Sequence, residues 1–294
     1  MKYADTLQKI KRLTISALVA DEVLMGILVL KGGNALDLAY DITNRGSIDI
    51  DFSMETDFTD GEKQRLLNQM RFLLESEFSK ENLVVFDVRI NDKPQKINDE
   101  VKSFWGGYLL EFKIIEKDKF DSFNGDLESI RRNALAIHSD NSTKFTVDIS
   151  KYEYVSGKRA KDLEGSVVYV YTPEMLALEK LRALCQQVPE YRGIVFSMTP
   201  KSRARDFYDI YNLTRSFSID YKIPENIELC KHIFDAKRVP LDFINKIEDQ
   251  RELHRQSWNS LTDTVSEKEI LKDYDFYFDF VIEQLGHLSQ TPLG

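Results

Sequence analysis

The chain has 294 residues, 42% hydrophobic and 30% charged. That length holds about two domains and that balance supports a buried core, which excludes a disordered or fibrous protein. Forty basic against forty-nine acidic residues leave −9, which excludes gripping nucleic acid by global charge, so any such contact must use a local basic patch.

Two cysteines, Cys185 and Cys230, are too few and too far apart for a zinc cluster or disulfide framework, which suits a reducing cytosol. The opening MKYADTLQKIKRL lacks the apolar core of a signal peptide, and the longest apolar stretch, Val23 to Leu30, falls far short of a membrane span. A soluble, cytoplasmic protein with no membrane partner is expected.

Residues 5–25 read as one amphipathic helix, and GILVLKGG as a buried strand ending in a glycine pair. NALDLAYD has helical periodicity and ITNRGS reads as a loop. SIDIDFSM alternates strictly, with Ile48, Ile50 and Phe52 on one face and Ser47, Asp49 and Asp51 on the other. GEKQRLLNQMRFLLESEF reads as a helix; LVVFDVRI and YLLEFKII as strands around a polar turn at Asn91–Lys96; LESIRRNALAIH as a short helix; KFTVDISKY as another strand. From about residue 170 the strand signal fades. TPEMLALEKLRALCQQ, SRARDFYDIYNLTRS, ENIELCKHIFDAK, PLDFINKIEDQRELHRQ and EKEILKDYDFYFDFVIEQLGHL all read as helices. The layout predicts an α/β part over residues 1–169 and a helical part over 170–294.

Asp49 and Asp51, two apart on a strand, project to one face. Asp148 in KFTVDISK joins them if its strand lies alongside. Two carboxylates about 4 Å apart repel by roughly 4 kcal/mol at an effective dielectric of 20, so a proton, basic neighbours or a metal must offset them. Oxygen-only clusters of Asp suit Mg²⁺, which takes further ligands from water and substrate phosphates. An isolated Asp-x-Asp reads first as the solvated face of an edge strand; its neighbours give it meaning. Lys31-Gly32-Gly33-Asn34 joins a predicted strand to a predicted helix, where glycines let the backbone approach an anion. Neither a Walker A loop nor a dinucleotide fingerprint is present.

On a helical wheel, Leu176, Ala177, Leu181, Ala183, Leu184 and Cys185 form an apolar arc, with Glu179, Arg182 and Gln186 opposite. Lys180 falls inside the arc, where it must snorkel to water or meet an anion such as a substrate phosphate. Asp206 falls between Leu213 and Ile210, with Asp209 at the edge of that face. Such an acid is satisfied by a nearby Lys or Arg and can orient Lys180. His138, His232, His254 and His287 are scattered, without metal spacing, and read as structural or surface residues.

Together, Lys31-Gly32-Gly33-Asn34-Ala35-Leu36, Arg45-Gly46-Ser47-Ile48-Asp49-Ile50-Asp51, Glu179-Lys180-Leu181-Arg182-Ala183-Leu184 and Arg205-Asp206-Phe207-Tyr208-Asp209-Ile210-Tyr211 resemble the AbiEii/AbiGii toxin family. The match runs from roughly residue 15 to 215. The resemblance implies an α+β fold: a polymerase-β-like nucleotidyltransferase core with a mixed sheet, then a helical C-terminal domain. It implies transfer of a nucleoside monophosphate from an NTP to an acceptor hydroxyl, at a two-metal Mg²⁺ site, by the toxin of a type IV toxin–antitoxin or abortive-infection system.

In that frame Asp49 and Asp51 match the metal-binding pair; Asp148, placed by its strand and not by a motif, joins them as third ligand or base. Lys31, Gly32 and Gly33 match the nucleotide-holding turn, and Arg45 and Ser47 the pattern before the acid pair. Lys180 matches the phosphate-contacting lysine, and Asp206 and Asp209 the distal supporting motif. Asn34 stands where many nucleotidyltransferases place a Ser. The acceptor implied first is RNA, with tRNA foremost, and second a protein; a cognate antitoxin is a further partner. Lys151, Lys158, Arg159 and Lys161, with Lys201 to Arg205, form locally basic stretches that suit tRNA or are simply solvated surface. Two alternatives stay open: a non-catalytic nucleotide- or partner-binding module on the same fold, and a small-molecule nucleotidyltransferase that modifies antibiotics.

Overall fold

Alternation of apolar and polar residues in the N-terminal half builds a seven-stranded mixed sheet in a computed structural model that describes residues 3–42, 49–137, 141–262 and 271–290. The strands are β1 (Val29–Lys31), β2 (Ile50–Ser53), β3 (Leu83–Lys93), β4 (Gly107–Glu116), β5 (Phe145–Ser150), β6 (Arg159–Leu163) and β7 (Ser166–Val170). Their spatial order is β3-β4-β5-β2-β1-β7-β6. β2 runs antiparallel to β1 and parallel to β5, and β1 runs parallel to β7.

Ile50 and Phe52 are buried on one side of β2 with Val147 and Ile149 of β5, as the alternation requires. The other side carries the polar residues. Helices α1 (Tyr3–Val19) and α4 (Asp60–Ser79) pack on each other, α4 against β3 and α1 against β7.

The predicted helix over residues 5–25 is two. Asp21 accepts from the backbone N–H groups of Val23 and Leu24, both at 3.0 Å, and so caps a second helix, α2 (Glu22–Ile27). After β1 a turn of helix, α3 (Gly32–Asn34), runs into a π-helix over Ala35–Ala39. The connection after β3 covers residues 94–106, longer than the expected polar turn. Two short helices follow β4: α5 (Lys117–Ser122) and α6 (Leu127–Arg132). Residues 159–170 form a hairpin, β6–β7, turning at Glu164-Gly165, both with positive φ.

Beyond Val170 the described elements are helical: α7 (Pro173–Cys185), α8 (Ala204–Phe217), α9 (Pro224–Asp235), α10 (Arg251–Arg255), α11 (Trp258–Thr262) and α12 (Tyr274–Leu285). The architecture is α+β, a mixed sheet followed by a helical C-terminal region. Thr172 caps α7 through its hydroxyl, with Pro173 in the first turn. The expected helix over PLDFINKIEDQRELHRQ is instead two 3₁₀ segments, Leu241–Lys246 and Glu248–Gln250, leading into α10. Buried Leu241, Phe243, Ile244 and Ile247 hold that tighter path, so tertiary packing overrides helical periodicity there. No described helix is long and apolar enough to cross a membrane.

Candidate active site

Register brings the carboxylates together. Asp51 of β2 pairs with Lys31 of β1 on one side and with Asp148 of β5 on the other, so the three side chains form one row across three adjacent strands. All three line a cavity of about 680 Å³, together with Gly32, Gly33 and Lys180. This volume is ample for a nucleotide.

Gly32 has φ +65°, a conformation that glycine adopts without strain, and a Cβ built there would lie 3.0 Å from Asp51 Cγ, against its carboxylate. The turn thus lies directly on the acid. Burial, with the charges of Asp148, Glu179 and Asp49 adding to it, raises the Asp51 carboxyl to about 7 against the pull of Lys31. Asp148 is bridged by Lys93.

Asp49 stands apart from the cavity lining. It is exposed just before β2 and accepts from the Thr146 hydroxyl at 2.8 Å, while the Asn34 amide donates to its backbone carbonyl. Arg45 and Ser47 lie outside the described residues.

Lys180 meets anions rather than water. It is 8% exposed, and its ammonium lies 3.1 Å from Asp206 and 2.8 Å from Asp209, both on α8 and both buried. Arg203 also donates to Asp206. Burial alone would raise the Asp206 carboxyl, but Arg203 and Lys180 outweigh it and hold it near 2.

A second cluster went unread in the sequence. Lys31 Nζ lies 2.8 Å from Glu179 and 3.6 Å from Glu153. Glu153 also takes Arg182 at 2.7 Å and Lys237 at 3.5 Å, so three cations, from β1, α7 and the connection after α9, meet one buried carboxylate. Burial opposes the charge on Glu153, and Arg182, Lys31 and Lys237 overcome it, lowering its carboxyl. Burial likewise pulls the Lys31 ammonium down, and Glu153 with Glu179 more than restores it.

The α7 face opposite the apolar arc does not meet bulk solvent. Glu179, Arg182 and Gln186 line the cavity, and Arg182 and Gln186 are buried. A helix with a charged face and no solvent side is the signal that points to Arg182. Glu153 and Lys237 lie in connections, where periodicity has nothing to say.

The basic stretch after β5 is largely spent on the protein itself. Lys151 pairs with Asp57 at 2.7 Å, Lys158 donates to the Gly26 carbonyl at 2.7 Å, and Lys161 lies over the Tyr40 ring.

Among the described residues no group of three or more His, Cys, Asp or Glu is gathered as a ready metal cage. The donor set nonetheless fits a hard divalent cation: Asp51 and Asp148 are register neighbours, burial and then the charge of Asp148 raise the first, and Mg²⁺ is ordinarily held by one or two carboxylates plus substrate phosphates.

No curated protein matches the chain. Among solved structures it is similar to JHP933 from Helicobacter pylori, at 17% identity over 99% of this chain and 91% of that chain, TM-score 0.46. It is also similar to an antigenic nucleotidyltransferase-like protein from Paracoccidioides brasiliensis, at 12% identity over 80% of this chain and 93% of that chain, TM-score 0.33. The model of the family described as nucleotidyl transferase AbiEii toxin, Type IV TA system, matches residues 16–285. Spanning nearly the whole sequence, that match makes this chain a member of the AbiEii family of nucleotidyltransferase toxins.

Proposed function

We propose that this nucleotidyltransferase moves a nucleoside monophosphate from an NTP to an acceptor hydroxyl on RNA, tRNA foremost, in the cytoplasm, and that a cognate antitoxin restrains it. The observation that carries this reading is the pairing of Asp51 with Asp148 beneath the Gly32 turn, in one cavity with Lys180. Residues 1–169 form the nucleotidyltransferase domain in this reading, and residues 170–294 a helical domain that completes the cavity through α7.

Asp51 and Asp148 hold Mg²⁺, with Asp49 as the outer acid of the set. The bound metal supplies charge neutralisation on the triphosphate and a lowered pKa for the attacking hydroxyl. Asp148 takes the acceptor's proton. The Gly32–Gly33 turn leaves room for phosphate oxygens directly over Asp51. Lys180, fixed by Asp206 and Asp209, faces the departing pyrophosphate, where a preorganised charge needs no rearrangement as the bond breaks. Lys31, Arg182 and Lys237, held by Glu153 and Glu179, leave that wall of the cavity with three cations against two carboxylates.

The test is incubation of the purified protein with Mg²⁺, each α-³²P-labelled NTP and total tRNA. Label is expected on the RNA with at least one nucleotide, and none with Asp51→Ala. No label with any of the four, beside an active control enzyme, overturns the proposal.

A further inference from the structure

Residues 191–205, YRGIVFSMTPKSRAR, carry Arg192, Lys201, Arg203 and Arg205 and no acid, on a chain of net charge −9. Within this strap Phe196 is 86% exposed, the most solvent-exposed of the large apolar side chains among the described residues. Its neighbours are not loose. Val195 is buried, Val195, Ser197 and Met198 line the cavity, and the backbone turns from Val195 back to Met198 with a 2.9 Å hydrogen bond.

The Lys201 amide is anchored on the Gln187 side chain at 2.8 Å, at the end of α7. The strap is therefore a fixed rim that holds an aromatic ring out beside the cavity. Arg203 is committed to Asp206 and Arg205 reaches the Ser260 carbonyl, but Arg192 and Lys201 are exposed and have no carboxylate partner among the described residues. Elsewhere the chain's cations are commonly tied to its own acids, as Lys151 is to Asp57.

An outward aromatic with uncommitted cations four residues before it and five after it on the same strap suits one occupant. Base faces stack on such rings irrespective of sequence, while lysine and arginine take the backbone phosphates. A stacking base must be unpaired on one side, so the fit is to a single-stranded end and not to a closed duplex.

We propose that this strap is the landing surface of the acceptor: Phe196 stacks against an unpaired base near an RNA end, and Arg192 and Lys201 grip the adjoining phosphates, presenting the terminal hydroxyl to the cavity. The assignment rests on the transfer reading above and adds the element that receives the acceptor.

The experiment measures binding of fluorescent total tRNA, and of a blunt RNA duplex, to the intact chain carrying Phe196→Ala, Phe196→Trp or Arg192→Gln/Lys201→Gln, with NTP binding and transfer read in parallel. Phe196→Ala is expected to weaken tRNA binding about five- to a hundredfold, with the duplex and NTP binding unchanged. Phe196→Trp is expected to restore it, and the double variant to lower the salt slope by about 2. Unchanged tRNA affinity in Phe196→Ala, an equal loss for the duplex, or loss of labelling of a protein acceptor with RNA binding intact overturns the proposal. Phe196-dependent tRNA binding without any transfer would instead sink the catalytic reading and leave the landing surface standing.

Discussion

Asp51 and Asp148 are register partners on parallel strands, and no residue of either strand separates their side chains. Acids so placed repel, and burial together with Asp148 lifts the Asp51 carboxyl to about 7. A divalent cation held by the two carboxylates would offset that penalty. Mg²⁺ at millimolar concentration is therefore expected to raise the thermal midpoint of the wild type by a few degrees, as a ligand of the native state does. Asp51→Asn should abolish the Mg²⁺ shift and the transfer reaction, yet lose no more than about 1 kcal/mol of stability, because a strained acid has been removed. A Mg²⁺ shift that survives Asp51→Asn, read by differential scanning fluorimetry, would place the metal elsewhere.

Gly32 admits no side chain. Its positive φ and its contact with the Asp51 carboxylate mean that Gly32→Ala must move one or the other. The expected cost is about 1–3 kcal/mol in urea unfolding, from backbone strain and overpacking together. A loss of at least about a hundredfold in transfer should accompany it, because a displacement of that size at a positioned group is costly.

Glu153 anchors Arg182, Lys31 and Lys237 at once. Glu153→Gln leaves three buried cations with Glu179 alone and Lys237 with no carboxylate partner among the described residues, and is expected to destabilise by about 3–5 kcal/mol. The double variant Glu153→Leu/Arg182→Met removes the pair as a unit and should be less damaging than Glu153→Gln alone. Urea midpoints at constant m-value decide the matter; a double variant worse than the single would mean that the network stabilises beyond its charge balance.

His254 supplies a pH dependence. It is fully buried, and its Nδ1 accepts from the Arg203 amide at 3.2 Å, which puts the proton on Nε2. Burial, against the opposing charge of Asp206, lowers the imidazole to about 4. Between about pH 6.5 and 4 the unfolded chain binds a proton at this site that the native chain refuses, so the contribution of His254 to stability falls as pH drops through that window by about 2–3 kcal/mol, while Asp51, raised to about 7, contributes in the opposite sense. His254→Asn keeps an acceptor for Arg203 without the titration. Its unfolding free energy should decline less over the same window, whatever its value at pH 7; an unaltered slope would assign the acid sensitivity to other groups.

Local pattern carried much of this structure into the sequence. The β2 alternation buries Ile50 and Phe52 and turns Asp51 to the opposite face, because a two-residue period leaves no other arrangement. Lys180, misplaced on an apolar arc, does meet anions, and the wheel also pointed to Asp206 as part of that meeting. The Glu153 cluster was illegible, since its members come from a strand, a helix and two connections that only the tertiary fold brings together. The β6–β7 hairpin was obscured because β6 is an edge strand whose exposed residues are mostly charged, so no apolar alternation marks it. The reading of residues 241–250 as helix failed for the converse reason: an apolar spacing that suits helix is satisfied by tighter turns packed into the core.

The tie between Lys31 and Glu179 has a mechanical consequence. It fastens the first strand of the sheet to the helix that forms the facing wall, and Arg182 with Glu153 repeats the fastening a turn further on. A hinge near Pro173 that swung the two halves apart would have to strip several dry ion pairs of their partners at once. The two walls therefore act as a fixed vise around whatever has entered the cleft.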